Sequence, residues 1–188
     1  MRARHDAIMV GIGTAIADAA IDRRLPGLEA RSPARVILDG RGRLPLTSPL
    51  VVTARTIPTM LVVLPGIESH RRRAYVDLGV TVIEVEPDVD GRPNVSKVLS
   101  ALAERGMTRV LVEGGSHVAA ALLRASVVDR LVWFRAASVM GGDGIPAAAA
   151  IGVDAIAGLS KFTRRSVIEV GADVMETYVP ARPAGNEG

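Results

Sequence analysis

The stretch VLVEGGSHVAAALL, which runs from Val110 to Leu123, contains a strand signal, a turn signal and a helix signal in succession. Three apolar residues predict a buried strand, the carboxylate of Glu113 follows them, and the run from Ser116 has the pattern of a helix. The two glycines between these elements permit a tight turn and a close approach of the backbone to a ligand. The free N–H groups and the partial positive charge at the start of the helix suit a phosphate. A tight turn that binds no ligand is the alternative that this stretch leaves open.

Outside this stretch, short apolar runs alternate with helical patterns over the first two thirds of the chain. The other predicted strands cover residues 6–11, 34–38, 50–53, 59–64 and 80–85, and the predicted helices cover residues 69–77, 96–104 and 117–125. Strands and helices that alternate in this way predict an α/β fold with a mostly parallel central sheet flanked by helices.

Toward the end of the chain the strand runs follow one another without helices between them. Residues 130–134, 162–170 and 174–179 are predicted strands, and Gly171-Ala172-Asp173 separates the last two as a hairpin turn would. We therefore expect an antiparallel C-terminal hairpin at the edge of the sheet. Residues 1–180 are expected to form a single domain, followed by a flexible tail over residues 181–188.

Composition narrows the classes of function. The chain has 188 residues, 48% of them apolar, no cysteine, and three widely separated histidines, which argues against a metal site. No long uncharged apolar run predicts a membrane span, and the N-terminus does not have the pattern of a signal peptide, so a cytoplasmic protein is expected. Nine arginines crowd the first third of the chain and favour anionic small molecules as partners. Only five residues are aromatic, which argues against a nucleic acid partner.

A second glycine corner follows the first predicted strand, where Gly11-Ile12-Gly13-Thr14 leads to Asp18. In an open parallel sheet this corner and the Glu113 corner should face the same crevice. Thr14 would either cap the following turn or bind a cofactor phosphate. The corner lacks the third glycine of the dinucleotide fingerprint found in Rossmann folds.

Arginines beyond the two corners have open interpretations. Arg41 and Arg43 follow the strand over residues 34–38, where they would either reach the 2′-phosphate of NADPH or remain in solvent. The run Arg71-Arg72-Arg73 is interpreted as a solvated helix face.

Several of these segments together resemble a known family. They read RARHDAIMVGIGT from Arg2, RVILD from Arg35, LVEGGS from Leu111 and VDRL from Val128, with MGGDG at residues 140–144. In this order they resemble the reductase half of the bacterial bifunctional riboflavin-biosynthesis deaminase-reductase. The resemblance implies a dihydrofolate-reductase-like fold. It also implies NADPH-dependent reduction of the ribosyl chain of 5-amino-6-(5-phosphoribosylamino)uracil to a ribityl chain.

The resemblance also implies roles for single residues. Arg2 and Arg24 would bind the phosphoribosyl group of the substrate, and Glu113 would hold the substrate. The residues implied to bind the cofactor are Gly13, Thr14, Asp18, Gly115, Ser116, His117, Val118, Ala119, Ala120 and Ala121. No residue is identified as a catalytic acid, and the preference between NADPH and NADH stays open.

Two departures from the family pattern motivate alternative functions. Ala19 and Ala20 stand where the family has a second acid and a proline, and a family strand with a lysine and a Ser-Leu-Asp-Gly turn precedes the first residue here. The chain is therefore expected to be either a truncated form of a longer protein or a shortened relative whose sheet lacks an inner strand. One alternative is a relative that binds the nucleotide without turnover, and another is a reductase of the same fold with a different substrate. A homodimer is expected, formed through sheet edges or residues 131–134, although a core strand would explain this apolar segment equally well.

Overall fold

Two sheets organise the chain. The structure, a computed structural model, describes residues 1–18, 32–153, 155 and 158–181. The strands are β1 (Ala7–Gly11), β2 (Ala34–Leu38), β3 (Thr59–Val63), β4 (Thr81–Glu84), β5 (Val110–Val112), β6 (Leu131–Arg135), β7 (Phe162–Val170) and β8 (Asp173–Pro180). The helices are α1 (Ile12–Ala17), α2 (Pro49–Val52), α3 (Ser69–Asp77), α4 (Val95–Ala103) and α5 (Ser116–Arg124), with 3₁₀ turns at Arg2–Arg4 and Gly141–Asp143.

The larger sheet is parallel and has the strand order β4-β3-β2-β1-β5. Successive side chains of its strands point to opposite faces, and helices cover both faces, which explains the unbroken apolar runs. One core cluster joins residues such as Met9 and Val36 to α4 and α5. The other joins residues such as Ile8 and Ile37 to α1, α2 and α3. The parallel, helix-flanked architecture expected from the sequence is confirmed.

The C-terminal hairpin is also confirmed, but its position differs from the expectation. Strands β7 and β8 pair antiparallel from Phe162↔Pro180 to Val170↔Asp173, and β8 pairs with β6 on its other side. These strands form a separate sheet with the order β6-β8-β7. Within the described residues, β5 therefore ends one sheet and β6 ends the other. Ala181 extends the hairpin with one bond from its N–H to the carbonyl of Lys161 at 2.8 Å, and the rest of the tail lies outside the described residues.

The predicted strand over residues 50–53 is wrong, because the chain forms α2 there. Ser48 caps this helix by accepting a hydrogen bond from the Leu50 N–H at 3.4 Å, and Pro49 occupies the first turn. Proline is favoured at that position since the missing N–H has no partner to lose. Leu50 and Val51 are fully buried. Capping and burial thus outweigh the weak strand preference of Val51 and Val52.

Arg35, one of the arginines expected to favour anionic partners, has a structural role instead. It is 1% exposed and donates to Thr59 Oγ1 at 2.9 Å, Thr53 Oγ1 at 2.9 Å and the Ile57 carbonyl at 3.0 Å. A buried guanidinium needs such acceptors, because desolvating it without them is costly. Arg35 therefore ties β2 to β3 and to the segment that follows α2.

None of the helices in the described part of the chain is long and apolar enough to cross a membrane.

Candidate functional site

The two glycine corners meet at the carboxyl end of the parallel sheet. Strands β1 and β5 are hydrogen-bonded neighbours, and the Glu113 N–H donates to the Met9 carbonyl at 3.1 Å. A Cβ added to Gly115 would lie 3.4 Å from the backbone nitrogen of Gly11, and one added to Gly114 would lie 3.6 Å from Thr14 Oγ1. The corners therefore form one surface, as the sequence predicts for strands that end at the same edge.

Backbone conformation explains why glycines occupy the β5–α5 corner. Gly114 has φ +95° and Gly115 has φ +91°, a region that side chains disfavour. A Cβ on Gly115 would also come within 3.3 Å of Val118 Cγ2. The backbone atoms of this corner are therefore accessible, and any side chain at these two positions would cover them. Such a surface fits the diphosphate of a dinucleotide cofactor, which needs close access to N–H groups.

Helix α5 presents its free N–H groups to this surface. Gly115 is the N-cap, and no side chain caps the helix among the described residues. The N–H groups of Ser116, His117 and Val118 have no acceptor within the helix, whereas the Ala119 N–H already donates to the Gly115 carbonyl at 3.0 Å. The partial positive charge at this end adds to their attraction for an anion.

The predicted cofactor run in α5 divides into two parts. Ser116 and His117 lie in the first turn at the corner, and His117 Nδ1 is 3.1 Å from Arg92 Nη1. Val118 and Ala120 are buried, and Ala121 packs against the core cluster that contains Val118. Their side chains hold the helix on the sheet, so the first turn is the part of the run that offers polar groups to a ligand.

The first corner places its predicted residues on one short helix. Thr14 lies in the third position of α1, against Gly114, while Gly11 is the N-cap and no side chain of the described residues caps this helix. The capping role that the sequence left open for Thr14 is therefore absent from this helix. Gly13 is exposed, and among the described residues only its chain neighbours and its own helix backbone lie within 4 Å of where a Cβ would stand. The Asp18 N–H donates to the Thr14 carbonyl at 2.8 Å, so Asp18 lies one turn further along, at the end of α1.

Two residues predicted to bind the substrate contact each other. Arg2 Nε donates to both carboxylate oxygens of Glu113, at 3.0 and 2.8 Å, and Arg2 Nη2 lies 2.5 Å from Glu113 Oε2. Both side chains are about one third exposed, at 35% and 29%. The pair places a guanidinium and a carboxylate side by side at the end of β5, where one suits a phosphate and the other a hydroxyl or ring N–H. The third predicted substrate residue, Arg24, lies outside the described residues.

An arginine-lined cleft of about 610 Å³ continues the site along the sheet edge. It lies after β2 and β3, and the side chains of Arg41 and Arg43 are exposed there. The buried Asp39 supports the loop from inside, because its carboxylate accepts the Leu44 N–H at 2.7 Å. The two arginines that the sequence related to a 2′-phosphate therefore border a concave surface.

Arg71 is not the solvated side chain that its position in an arginine triplet predicts. Its guanidinium donates to the carbonyls of Gly42 and Leu44 and lies 5.5 Å from the ring of Tyr75. The buried Tyr75 hydroxyl lies within hydrogen-bonding distance of the same two carbonyls, and burial raises the pKa of this hydroxyl. Arg71 and Tyr75 thus hold the loop that carries Arg41 and Arg43. Nothing in the local sequence distinguishes Arg71 from its neighbours in the triplet.

Comparison with known proteins agrees with this architecture. The RibD C-terminal domain family matches residues 1–175. A riboflavin biosynthesis protein RibD from Bacillus amyloliquefaciens is 31% identical over 181 residues, which are 95% of this chain and 47% of that protein. A 2,5-diamino-6-ribosylamino-4(3H)-pyrimidinone 5′-phosphate reductase from Archaeoglobus fulgidus is 30% identical over 159 residues, which are 78% of this chain and 68% of that protein.

Solved structures of similar proteins share this fold. Acinetobacter baumannii RibD superposes with a TM-score of 0.76 at 28% identity, covering 96% of this chain and 48% of that one. A pyrimidine reductase-like protein from Corynebacterium diphtheriae, at 20% identity, shares the fold with a TM-score of 0.80 over 97% of this chain and 78% of that one. The chain spans about half the length of the RibD relatives that it matches. By family match and by fold, this chain belongs to the RibD C-terminal domain family.

Proposed function

We propose that this chain is an NADPH-dependent reductase of riboflavin biosynthesis that reduces the ribosyl chain of 5-amino-6-(5-phosphoribosylamino)uracil to a ribityl chain. The observation that carries the proposal is the meeting of the two glycine corners, with Gly115 against Gly11 and Gly114 against Thr14, beside Glu113. A nicotinamide dinucleotide is long enough to need both corners, and Glu113 stands where its reacting end and a substrate would meet. The names of the RibD and pyrimidinone phosphate reductase relatives support the same reaction class.

Each group at the site has a role that its chemistry suits. The first turn of α5 would hold the cofactor diphosphate, and Thr14 and Asp18 would contact the cofactor from the other corner. Arg2 would bind the substrate phosphate, and Glu113 would orient a hydroxyl or ring N–H group. When bound, the reduced nicotinamide supplies the hydride, so the protein's task is to align the substrate and exclude water.

The ion pair between Arg2 and Glu113 must rearrange when the substrate binds. Its bidentate geometry occupies both carboxylate oxygens with the guanidinium. A substrate with a phosphate and a ring N–H or hydroxyl group offers each partner a replacement of matching charge and hydrogen-bonding character. A neutral substrate without a phosphate would leave Arg2 on the carboxylate, and this difference favours phosphorylated small molecules.

The arginine cleft supports NADPH over NADH as the cofactor. The exposed Arg41 and Arg43 border it, and the hydrogen bonds from Arg71 and Tyr75 fix the intervening backbone. A 2′-phosphate would gain charge-assisted hydrogen bonds there that a 2′-hydroxyl would not. The double substitution Arg41→Ala and Arg43→Ala should weaken NADPH binding about tenfold and leave NADH binding unchanged, as measured by fluorescence titration. Equal losses for both cofactors would contradict this assignment.

The central test of the proposed function is NADPH oxidation with the purified chain and the phosphorylated pyrimidine. Glu113→Gln should raise KM for the pyrimidine at least about tenfold, because it replaces an anionic acceptor, while the Kd for NADPH stays within about twofold. Glu169→Gln on the exposed part of β7 is the matched control and should change neither constant. Loss of NADPH binding in the Glu113 variant alone would refute the division of roles between carboxylate and helix.

A second candidate is reduction of a pyrimidinone that still carries its 2-amino group. It is favoured by the Archaeoglobus fulgidus relative, whose name specifies 2,5-diamino-6-ribosylamino-4(3H)-pyrimidinone 5′-phosphate. Comparing kcat/KM for the two pyrimidines distinguishes the candidates. If NADPH binds but neither pyrimidine is reduced, the chain is a nucleotide-binding relative without turnover, as the alanines at positions 19 and 20 suggest.

We further propose that two copies of the chain associate through the smaller sheet. Phe134 and Ile168 are both paired with Met175, so the three side chains form one row across β6, β8 and β7. Phe134 is 56% and Ile168 48% exposed, which is a large apolar area to leave in water. Light scattering should give the mass of two chains, and the combined substitution Phe134→Ser and Ile168→Ser should give the mass of one.

The expected location of this protein remains the cytoplasm.

A further inference from the structure

We propose that Arg92, in the loop between β4 and α4, binds the diphosphate of the nicotinamide cofactor together with His117, opposite the first turn of α5. This inference rests on the proposed function for the identity of the anion. It adds a residue that neither the sequence patterns nor the two glycine corners indicate. Arg92 lies 25 positions before His117, but their side chains are in contact.

The loop holds Arg92 in place through Asp88. The Asp88 carboxylate accepts the N–H groups of Asp90 and Arg92, each at 2.9 Å, and the Asp88 N–H donates to the Arg92 carbonyl at 2.6 Å. The Asn94 N–H donates to the Glu86 carbonyl at 3.0 Å, which closes the loop at its base. The backbone of Arg92 is therefore fixed before any ligand binds, so little backbone entropy is lost on binding.

The acids near Arg92 are already engaged elsewhere. Asp88 accepts hydrogen bonds from the backbone of the turn, and Asp90 pairs with Arg124 at 2.7 Å. Among the described residues, no carboxylate forms an ion pair with Arg92. Instead its Nη1 lies 3.1 Å from His117 Nδ1. Because a guanidinium only donates, this contact requires the neutral imidazole with Nδ1 as the acceptor.

This arrangement is suited to a bound anion. The Arg92 guanidinium contacts the imidazole of His117, which lies in the first turn of α5, where the free N–H groups carry partial positive charge. A diphosphate has enough oxygens to accept hydrogen bonds from Arg92 and from the helix N–H groups at the same time. The single acceptor nitrogen of the imidazole can serve only Arg92. The guanidinium would move from Nδ1 to a phosphate oxygen and gain a charge-assisted hydrogen bond.

The same loop connects α5 with the arginine cleft. A Cβ on Gly40 would lie 3.3 Å from Pro93 Cδ, so the residue after Arg92 touches the start of the loop that carries Arg41 and Arg43. Arg92 therefore lies between the diphosphate surface and the cleft assigned to the 2′-phosphate. The diphosphate is common to NADPH and NADH, whereas the 2′-phosphate is not. Loss of Arg92 should therefore weaken both cofactors alike.

The test is direct titration of NADPH, NADH and inorganic diphosphate into the purified chain. Binding is followed by calorimetry and by the NMR signals of the His117 ring. Arg92→Ala should weaken NADPH and NADH equally, by about tenfold, and Arg92→Lys should recover part of the loss. Lys97→Ala, which removes an exposed cation from α4, is the matched control and should change neither affinity. The inorganic ion should shift the His117 signals of the wild type and not those of Arg92→Ala.

The outcomes separate this inference from the proposed function. If NADPH binds and Arg92→Ala binds it as tightly as the wild type, the role of Arg92 is wrong and the proposed function stands. If neither dinucleotide binds but inorganic diphosphate shifts His117 in an Arg92-dependent way, the site stands and the nicotinamide cofactor is wrong. If the ion leaves the His117 signals unchanged and Arg92→Ala weakens only NADPH, Arg92 belongs to the 2′-phosphate cleft, which also overturns the assignment.

Discussion

Helices α4 and α5 have the same length and pack against the same face of the parallel sheet, but their N-termini differ. At α4, the Asn94 side chain accepts the N–H groups of Ser96 and Lys97 at 3.1 and 3.2 Å. At α5, Gly115 provides no side chain, and the N–H groups remain available. A capping side chain stabilises a helix end, whereas a bare end can bind an anion. On the proposed function, the capped end of α4 contributes stability and the open end of α5 binds the ligand.

The same contrast extends to other elements. Like α5, α1 begins after a glycine without a side-chain cap, and these two starts face each other across the corners. At the opposite end of the sheet, the Asp6 carboxylate accepts the N–H groups of Thr108 and Arg109, each at 2.8 Å. Backbone donors at that end are therefore satisfied by a carboxylate of the chain itself. At the carboxyl end, the first N–H groups of α5 have no such side-chain partner among the described residues.

The largest expected effect concerns the buried parts of the two helices. Leu102 of α4 is 0% and Leu122 of α5 is 5% exposed, and each fills the same core cluster. Leu102→Ala and Leu122→Ala should each lower the free energy of unfolding by about 2–5 kcal/mol, through lost burial and a residual cavity. Urea unfolding measures this loss, and NADPH titration of the folded variants should show little change. If NADPH affinity falls only with Leu122→Ala, core packing of α5 also controls ligand binding at its N-terminus, which contradicts the separation of the two roles.

Gly115→Ala should convert the open end of α5 into a blocked one. At φ +91° an alanine costs about 1–3 kcal/mol of stability, and its Cβ meets Gly11 and Val118. Affinity for NADPH should fall at least about tenfold, because the methyl group occupies the phosphate surface. Gly106→Ala is the matched control, since Gly106 also has positive φ, +78°, and no described residue other than its chain neighbours lies within 4 Å of its Cβ position. It should lose stability but bind NADPH as tightly as the wild type.

Asn94→Ala should show the complementary behaviour at α4. Removal of the cap leaves the N–H groups of Ser96 and Lys97 without their acceptor, which costs about 1 kcal/mol of stability. Thermal or urea unfolding detects this loss. The Kd for NADPH should not change, and a marked loss of affinity would show that the α4 start also contributes to the ligand site.

The smallest effect concerns Asp6 and depends on pH. Hydrogen bonds from the Arg109 and Thr108 backbones lower the pKa of the Asp6 carboxyl. Because the folded pKa lies below the unfolded value of about 4, the stabilisation is present above that pH and is lost as pH falls through the folded pKa. The difference in urea midpoint between Asp6→Asn and the wild type should therefore shrink between neutral pH and pH values below about 4. A constant difference would mean that the charge of Asp6 is not what holds these N–H groups.

Local sequence predicted every strand of the parallel sheet, but it misassigned the segment that forms α2 and did not show which strands share a sheet. The helix expected over residues 69–77 is present with the same bounds as α3, and turn residues flank it, with Pro65 and Gly66 before it and Gly79 after it. The strand predicted over residues 50–53 is wrong, since Val51 and Val52 favour a strand but Ser48 and Pro49 start a helix. The hairpin was correctly predicted, but no local signal shows that it belongs to a separate sheet. Sheet membership depends on strand partners that are distant in sequence.

The candidate site divides in the same way. Glycines with restricted conformations, an acid at a strand end and an arginine-rich segment are local features, so the sequence alone located both corners and led to the prediction of an anionic ligand. The contacts of Arg2 with Glu113, of Arg71 with Gly42 and of Arg92 with His117 join residues 25 to 111 positions apart. No periodicity encodes such contacts, because they arise where the packed sheet brings separate loops to one edge. That Arg35 and Arg71 serve the fold was therefore settled only by tertiary packing.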